Sequence, residues 1–266
     1  MTDREIWYQF NAFQQRKEAQ YQKLFYNLIR RQAMRVADYV VQHGADAAAV
    51  NINLLVPTVE VQSLLRRLYT DVGVNWANIE YANIEEHTKS WAQPVRCKRF
   101  GFNAIWEGIL NLFFTQKAGE KITKITETTR KWLIGMISAG RAAGMGAEQI
   151  ARSMRDDKQV PLARARVISR TETVAAANFG GMTAARQSKL KMNKRWVNSQ
   201  DKRVRETHRD EDEGGVGGEV RPLEEPFSNG LMHPGDPSGS AEEVIQCRCI
   251  VSMRPARDEQ GMPMAA

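Results

Sequence analysis

ARVISRTETVAAANFGGMTAA, Ala165–Ala185, and then RWVNSQDKRVRETH, Arg195–His208, are the stretches on which the fold of this chain turns. Upstream of the first, Pro161 suits the opening turn of a helix, where its missing N–H has no partner to lose. The spacing predicts a helix reaching about Ser188. From Arg195 the texture changes. Trp196 and Val197 predict a strand, EGGVGGEVRP a turn-rich loop, HPGDPSGS another loop, and EVIQCRCIVSM a final strand. Residues beyond Pro255 read as a loose tail.

Outward from that core, AEQIARSMRDD reads as a short helix, and Gly140, Gly144 and Gly146 mark the preferred domain boundary. The first half is helical. Ile6, Phe10, Phe13, Tyr21, Phe25, Leu28, Val36 and Val40 recur at helical spacing over about Thr2 to His43, and Gly44 is placed to end that helix. A second helix starts after Pro57 and carries Val61, Leu65, Leu68, Val72 and Trp76 on one face towards Lys89. Pro94 with Arg96, Lys98 and Arg99 interrupts the pattern, which restarts at Ile105, Ile109, Leu112 and Phe113 and continues through KITKITETTRKWLIGMISAGRAAG. The apolar stripes read as core faces, and the intervening residues Arg16, Lys17, Lys23, Arg30, Arg31 and Arg35 as solvated outer faces. The expectation is an α+β chain: a mostly helical N-terminal region over 1–145, a small mixed helix-and-strand domain over 146–254, and a flexible tail over 255–266.

The ordered series of phrases in the second half resembles the phage Mu protein F-like head-morphogenesis family over about residues 146–254. An Arg-Thr-Glu core followed by an Asn comes first, then a Trp, then Asp-x-Arg-x-Arg and a His in RWVNSQDKRVRETH, then EEPFSNG, PGDPSG and EEVIQCRCIV. Two departures stand out: HRDEDEGGVGGEV replaces a short Asp-Gly turn after the His, and Gln246 stands where an Asn often precedes Cys-Arg-Cys. The resemblance implies a minor head protein of a tailed bacteriophage. It implies a place in the virion head near the portal vertex, with portal, major capsid or scaffold proteins and packaged double-stranded DNA as partners. It implies roles in head assembly and in packaging or ejection of the genome.

Composition fits without deciding. The 266 residues carry a net charge of +7 and a pI near 9.4, which favours acidic partners such as nucleic acid but carries no sequence-reading code. No apolar run approaches the roughly 18 residues of a membrane span, and the first residues lack a secretory layout, so synthesis in a host cytoplasm and no membrane in the assembled head are expected. Cys97, Cys247 and Cys249 are too few and too uneven for a disulfide scaffold. Arg186, Lys189, Lys191, Lys194 and Arg195 form a basic run with Trp196 as its aromatic neighbour. Arg203 and Arg205, if extended, share a face able to meet phosphate or an acidic portal surface, or else pair with Asp210, Glu211, Asp212 and Glu213.

Cys247 and Cys249 are spaced to point the same way on a strand and, with His208 and with His233 as a further donor, form a candidate zinc site. The competing reading makes Ile245, Cys247, Cys249, Val251 and Met253 one apolar strand face with buried free thiols. No cofactor is certain; zinc is the candidate. Arg170 and Glu172, two apart on a helix, point in different directions and read as structural anchors to the following strands, with Trp196 as a structural core residue. No Gly-x-Ser-x-Gly, His-Glu-x-x-His or phosphate-cradling loop is present, so the expectation is a non-enzyme. The alternative is a zinc-dependent hydrolase or nuclease built on His208 with Asp210 or Asp236.

Overall fold

The computed structural model describes residues 2–89 and 102–266; Pro94, Cys97 and the basic cluster Arg96, Lys98 and Arg99 lie outside the described residues. In chain order the elements are α1 (Asp3–His43), α2 (Ala45–Val50), α3 (Ile52–Leu55), α4 (Thr58–Lys89), α5 (Phe102–Lys117), α6 (Gly119–Ala142), α7 (Ala147–Asp156) and α8 (Gln159–Gln187), followed by β1 (Met192–Val197), β2 (Val220–Pro222), α9 (Ala241–Val244) and β3 (Ile250–Pro255). The chain is therefore α+β, helices first, with a small antiparallel sheet in its C-terminal region. No described helix is long and apolar enough to cross a membrane. Two compact units divide it: Met1–Lys17, Leu68–Gln116 and Arg170–Ala266 form one, Glu18–Arg67 and Lys117–Ser169 the other.

The unit containing Glu18–Arg67 is all helical, and Val36 and Val40 of the predicted stripe lie in its core. Ala33, Val36, Ala37 and Val40 of α1 meet Ile52, Leu55 and Val56, with Leu133 and Ile137 of α6 and Ile150, Ala151 and Met154 of α7. Gly140 stays helical here, and its lack of a side chain admits Ile150, whose Cγ1 would lie 2.6 Å from a Cβ; the chain turns instead at Gly144, whose φ of +69° favours glycine. The arginines between the stripes are not simply solvated. Arg30 donates to the carbonyls of Asp157 (2.9 Å) and Arg155 (2.7 Å), supplying partners to orphan groups at the end of α7. Arg35 pairs with Glu60 at 2.6 Å, and Gln32 donates to the same carboxylate. These cations bind because helix ends and a partly buried carboxylate lie within reach, which a stripe pattern does not reveal.

In the other unit α8 explains its own composition. Thr171–Asn178 are all buried, so the helix has neighbours all round, and the small Ala175, Ala176 and Ala177 let them come close. A Cβ on Gly180 would lie 2.2 Å from the Gly73 carbonyl of α4, so two backbones touch where only glycine fits. The sheet order is β2-β1-β3, all antiparallel, with Trp196 opposite Val251 and Lys194 opposite Met253. The final strand is shorter than EVIQCRCIVSM suggests. Residues 241–244 are helical, Gln246 takes a φ of +58°, and the strand begins at Ile250, leaving Cys247 and Cys249 in the irregular approach. Residues after Pro255 fold back: Lys191 donates to the Met264 carbonyl, and the Ala266 amide donates to that of Lys189.

Candidate metal centre

Two motifs of α8 hold the cysteine-bearing approach in place. Thr171 Oγ1 accepts the Gln246 amide at 3.0 Å. Asn178 straps the chain twice, its Oδ1 accepting the Val251 amide (2.9 Å) and its Nδ2 donating to the Cys249 carbonyl (3.2 Å). All of these groups but the Gln246 amide are buried deeply enough that each unmet bond would carry a desolvation cost. Glu172 faces α4 instead of the strands, accepting the Tyr69 hydroxyl at 2.7 Å, while Arg170 is half-buried on the same helix. Burial, with the Glu172 charge beside it, pushes the Tyr69 hydroxyl well above its usual value.

Arg248, between the two cysteines, points away from them and grips Asp201 with two bonds of 2.5 and 2.7 Å. That guanidinium holds the Asp201 carboxyl well below the usual carboxylate range. With Arg248 turned to one side, the two sulfurs turn to the other and meet His208. Nδ1 of His208 lies 3.6 Å from Cys247 Sγ and 3.7 Å from Cys249 Sγ, and the three donor atoms all fall within 4.8 Å of one another. The three residues are 1%, 3% and 1% exposed for Cys247, Cys249 and His208. Both thiols are free.

On its other side His208 meets Glu243, Nε2 to Oε2 at 2.7 Å, and Thr207 donates to the same carboxylate. The Trp196 ring packs edge-on against the imidazole at 4.8 Å and against Phe227 at 5.1 Å. Burial opposes a charge on His208, but Cys247 and Glu243 together outweigh it and hold the imidazole above its ordinary value. The Cys247 thiol is drawn well below its usual range by the Cys249 hydrogen bond and, against burial, by His208; Cys249 is pushed up by the same neighbour. His233 lies elsewhere, with Nδ1 on the Pro234 carbonyl and its ring edge-on to Phe179. Asp210 and Asp236 also have other partners: Asn198 for the first, the Met232 amide and Ser238 for the second.

The basic run does not form one surface. Lys194 is wholly buried, its amine donating to the Met232 carbonyl at 2.7 Å over the Phe227 ring, and burial lowers its pKa to about 8. Arg186 is paired with Glu224 and Arg195 with Asp3. Lys189 and Lys191 are exposed. Residues 201–208 form turns and a 3-10 segment, not a strand, so Arg203 and Arg205 share no face: Arg203 turns back to Asp201, and Arg205 donates to the Ile245 carbonyl. The cleft beside β1, about 400 Å³, carries Asp3, Asp210, Glu211 and Asp212 against a single Arg195, a lining that repels phosphate.

Thr171, Asn178, Asp201 and Glu243 were not singled out as site residues by sequence reasoning. The first three stand inside phrases that the sequence makes conspicuous, yet their partners lie up to 75 residues away. Glu243 carries no signal beyond standing four residues before Cys247.

Residues 136–252 match the family described as Phage Mu protein F like protein, which establishes for that segment the resemblance carried by its motifs. Over 139 residues the chain is 31% identical to the minor head protein GP7 of Bacillus phage SPP1, covering 49% of this chain and 44% of that relative. The chain thus spans less than half the length of this curated relative. No solved structure matches it.

Proposed function

We propose that this chain, with its Mu protein F-like segment over residues 136–252, is a minor head protein of a tailed bacteriophage that acts by assembly and binding. The observation that carries the reading is the use made of the family-like motifs. Thr171, Glu172, Asn178, Trp196, Asp201 and Arg248 are all spent on bonds and packing inside one unit, and neither Asp of the hydrolase alternative reaches His208. A segment whose motifs build an architecture suits a docking part better than a reaction centre. Its place is the head near the portal vertex, reached from the host cytoplasm. Portal and capsid or scaffold proteins are its partners in assembly, and packaged DNA is a non-specific partner in packaging or ejection.

DNA contact falls to the cations left at the surface, Lys189, Lys191 and Arg203, with Arg186 able to exchange its carboxylate partner for phosphate, while Arg195 stays with the acidic lining of its cleft. Such binding is indifferent to sequence and falls steeply with salt. Asymmetric imaging of intact particles, with mass spectrometry of the same preparation, tests the assignment. Density for this chain at the portal vertex is expected. Uniform density over the shell, or particles wholly lacking the chain, would overturn it.

A further inference from the structure

We infer that His208, Cys247 and Cys249 bind one zinc ion, with Glu243 orienting the imidazole. The inference is independent of the head-protein reading, since it stands on the geometry of the three donors alone.

The distances are those of a tetrahedral site. Zinc takes sulfur at about 2.3 Å and imidazole nitrogen at about 2.0–2.1 Å, which places a sulfur and a nitrogen on neighbouring tetrahedral corners about 3.5–3.6 Å apart. The two separations here are 3.6 and 3.7 Å. Glu243 only accepts, so it takes the proton on Nε2 and turns Nδ1 towards the two sulfurs. One cation at that point meets all three donors.

The remaining features fit the same ion. A carboxylate on the far nitrogen of a ligating histidine is the usual outer partner of a zinc site, setting tautomer and ring angle. The Cys249 amide donates to Cys247 Sγ at 3.4 Å, as thiolate sulfurs accept. On binding, the protons shared among the two sulfurs and Nδ1 go to solvent, leaving two thiolates and a neutral imidazole. Two thiolates then cancel the charge of the ion, which suits so buried a place. The protein supplies three of the four donors. Thiolate donors select zinc over magnesium or calcium. The ion would clip the loop leaving β1, where His208 lies, to the approach to β3, at the edge of the apolar cluster around Trp196 and Phe227.

The full chain, purified under reducing conditions, is assayed for metal by elemental analysis. It is then stripped with a chelator and titrated with cobalt(II) chloride, an optical stand-in for zinc. One zinc per chain is expected, and cobalt should give an intense thiolate-to-metal absorption with a four-coordinate ligand-field pattern. Glu243→Gln keeps all three donors and should weaken metal affinity about 10–100-fold; Cys249→Ser should remove the thiolate absorption or halve it. Absence of stoichiometric metal together with a featureless cobalt titration of the reduced wild-type chain would overturn the site. So would a Cys247–Cys249 disulfide as the native form, or unchanged affinity in Glu243→Gln for the part assigned to Glu243.

Discussion

The helical unit around Val36 and Leu133 and the stretch from Asn198 to Cys249 are stabilised in opposite ways. The first distributes its stability over many apolar side chains on four or more helical segments, so each contributes a fraction. The second has little regular structure, one short strand and brief helical turns; a few side chains, Val216, Phe227, Leu231, Cys247 and Cys249, bury it against Trp196 and Met253, and specified polar bonds fix the rest. Asn178 anchors it at Cys249, Arg248 at Asp201, and Lys194 at Met232. Asp236 ties down Met232 and Ser238, and Glu219 ties down Ser228. Distributed packing writes itself into periodicity; point contacts do not. The same contrast predicts different failures, gradual in one region and all-or-none in the other.

The largest effect belongs to the packed region. Leu133→Ala removes a wholly buried side chain and should cost about 2–5 kcal/mol in urea unfolding followed by circular dichroism. A cost below 1 kcal/mol would mean that the helical core is far looser than its packing implies.

Asn178→Ala sharpens the other side. It leaves a buried carbonyl and a buried amide unmet, for about 2–3 kcal/mol, and the effect should concentrate in hydrogen exchange at Val251 and in the loops before it. Exchange rising equally in the α6 and α7 peptides would erase the distinction between the regions.

Glu80 of α4 probes the sheet's attachment. It is almost fully buried and accepts the Met253 amide at 3.1 Å; burial raises its pKa to about 7, against that bond, which lowers it. Between the ordinary value of 4.5 and about 7, the folded chain holds a proton that the unfolded chain has lost, so stability falls as pH rises through this window. The loss attributable to Glu80 is on the order of 3 kcal/mol. Glu80→Gln should flatten that slope in unfolding measured from pH 4.5 to 8. A slope unchanged in the variant would show that Glu80 does not titrate there. Lys194 acts above this range: folding lowers its pKa from 10.5 to about 8, so its contribution to stability rises with pH between those values.

The smallest effect is at Gln246, which takes a left-handed φ of +58°. Gln246→Asn should gain about 0.5–1 kcal/mol, because Asn tolerates that conformation better. Loss of stability would mean that the Gln side chain itself contributes.

Much of this was legible in the sequence. Stripes such as Phe25, Leu28, Val36 and Val40 marked the helices, and Trp196 the strand beside which β3 lies. His208, Cys247 and Cys249 were identifiable because few other residue types bind soft metals. Lys194 was misread as a surface cation, since charge says nothing of a carbonyl 38 residues away waiting to accept it. The alternating charges of 201–208 leave its conformation open, and it is Asn198 and Asp201, accepting nearby backbone amides, that turn the chain. Glu243 went unnoticed because a carboxylate acquires a role only when folding sets it on an imidazole.

Native-state hydrogen exchange across a series of low urea concentrations compares the two modes of stabilisation within one sample. Peptides from 198–249 should open together at a lower free energy than those from α6 and α7, and Asn178→Ala should lower the first opening while leaving the second nearly unchanged. A single opening free energy shared by both regions, shifted equally by that substitution, would contradict the account.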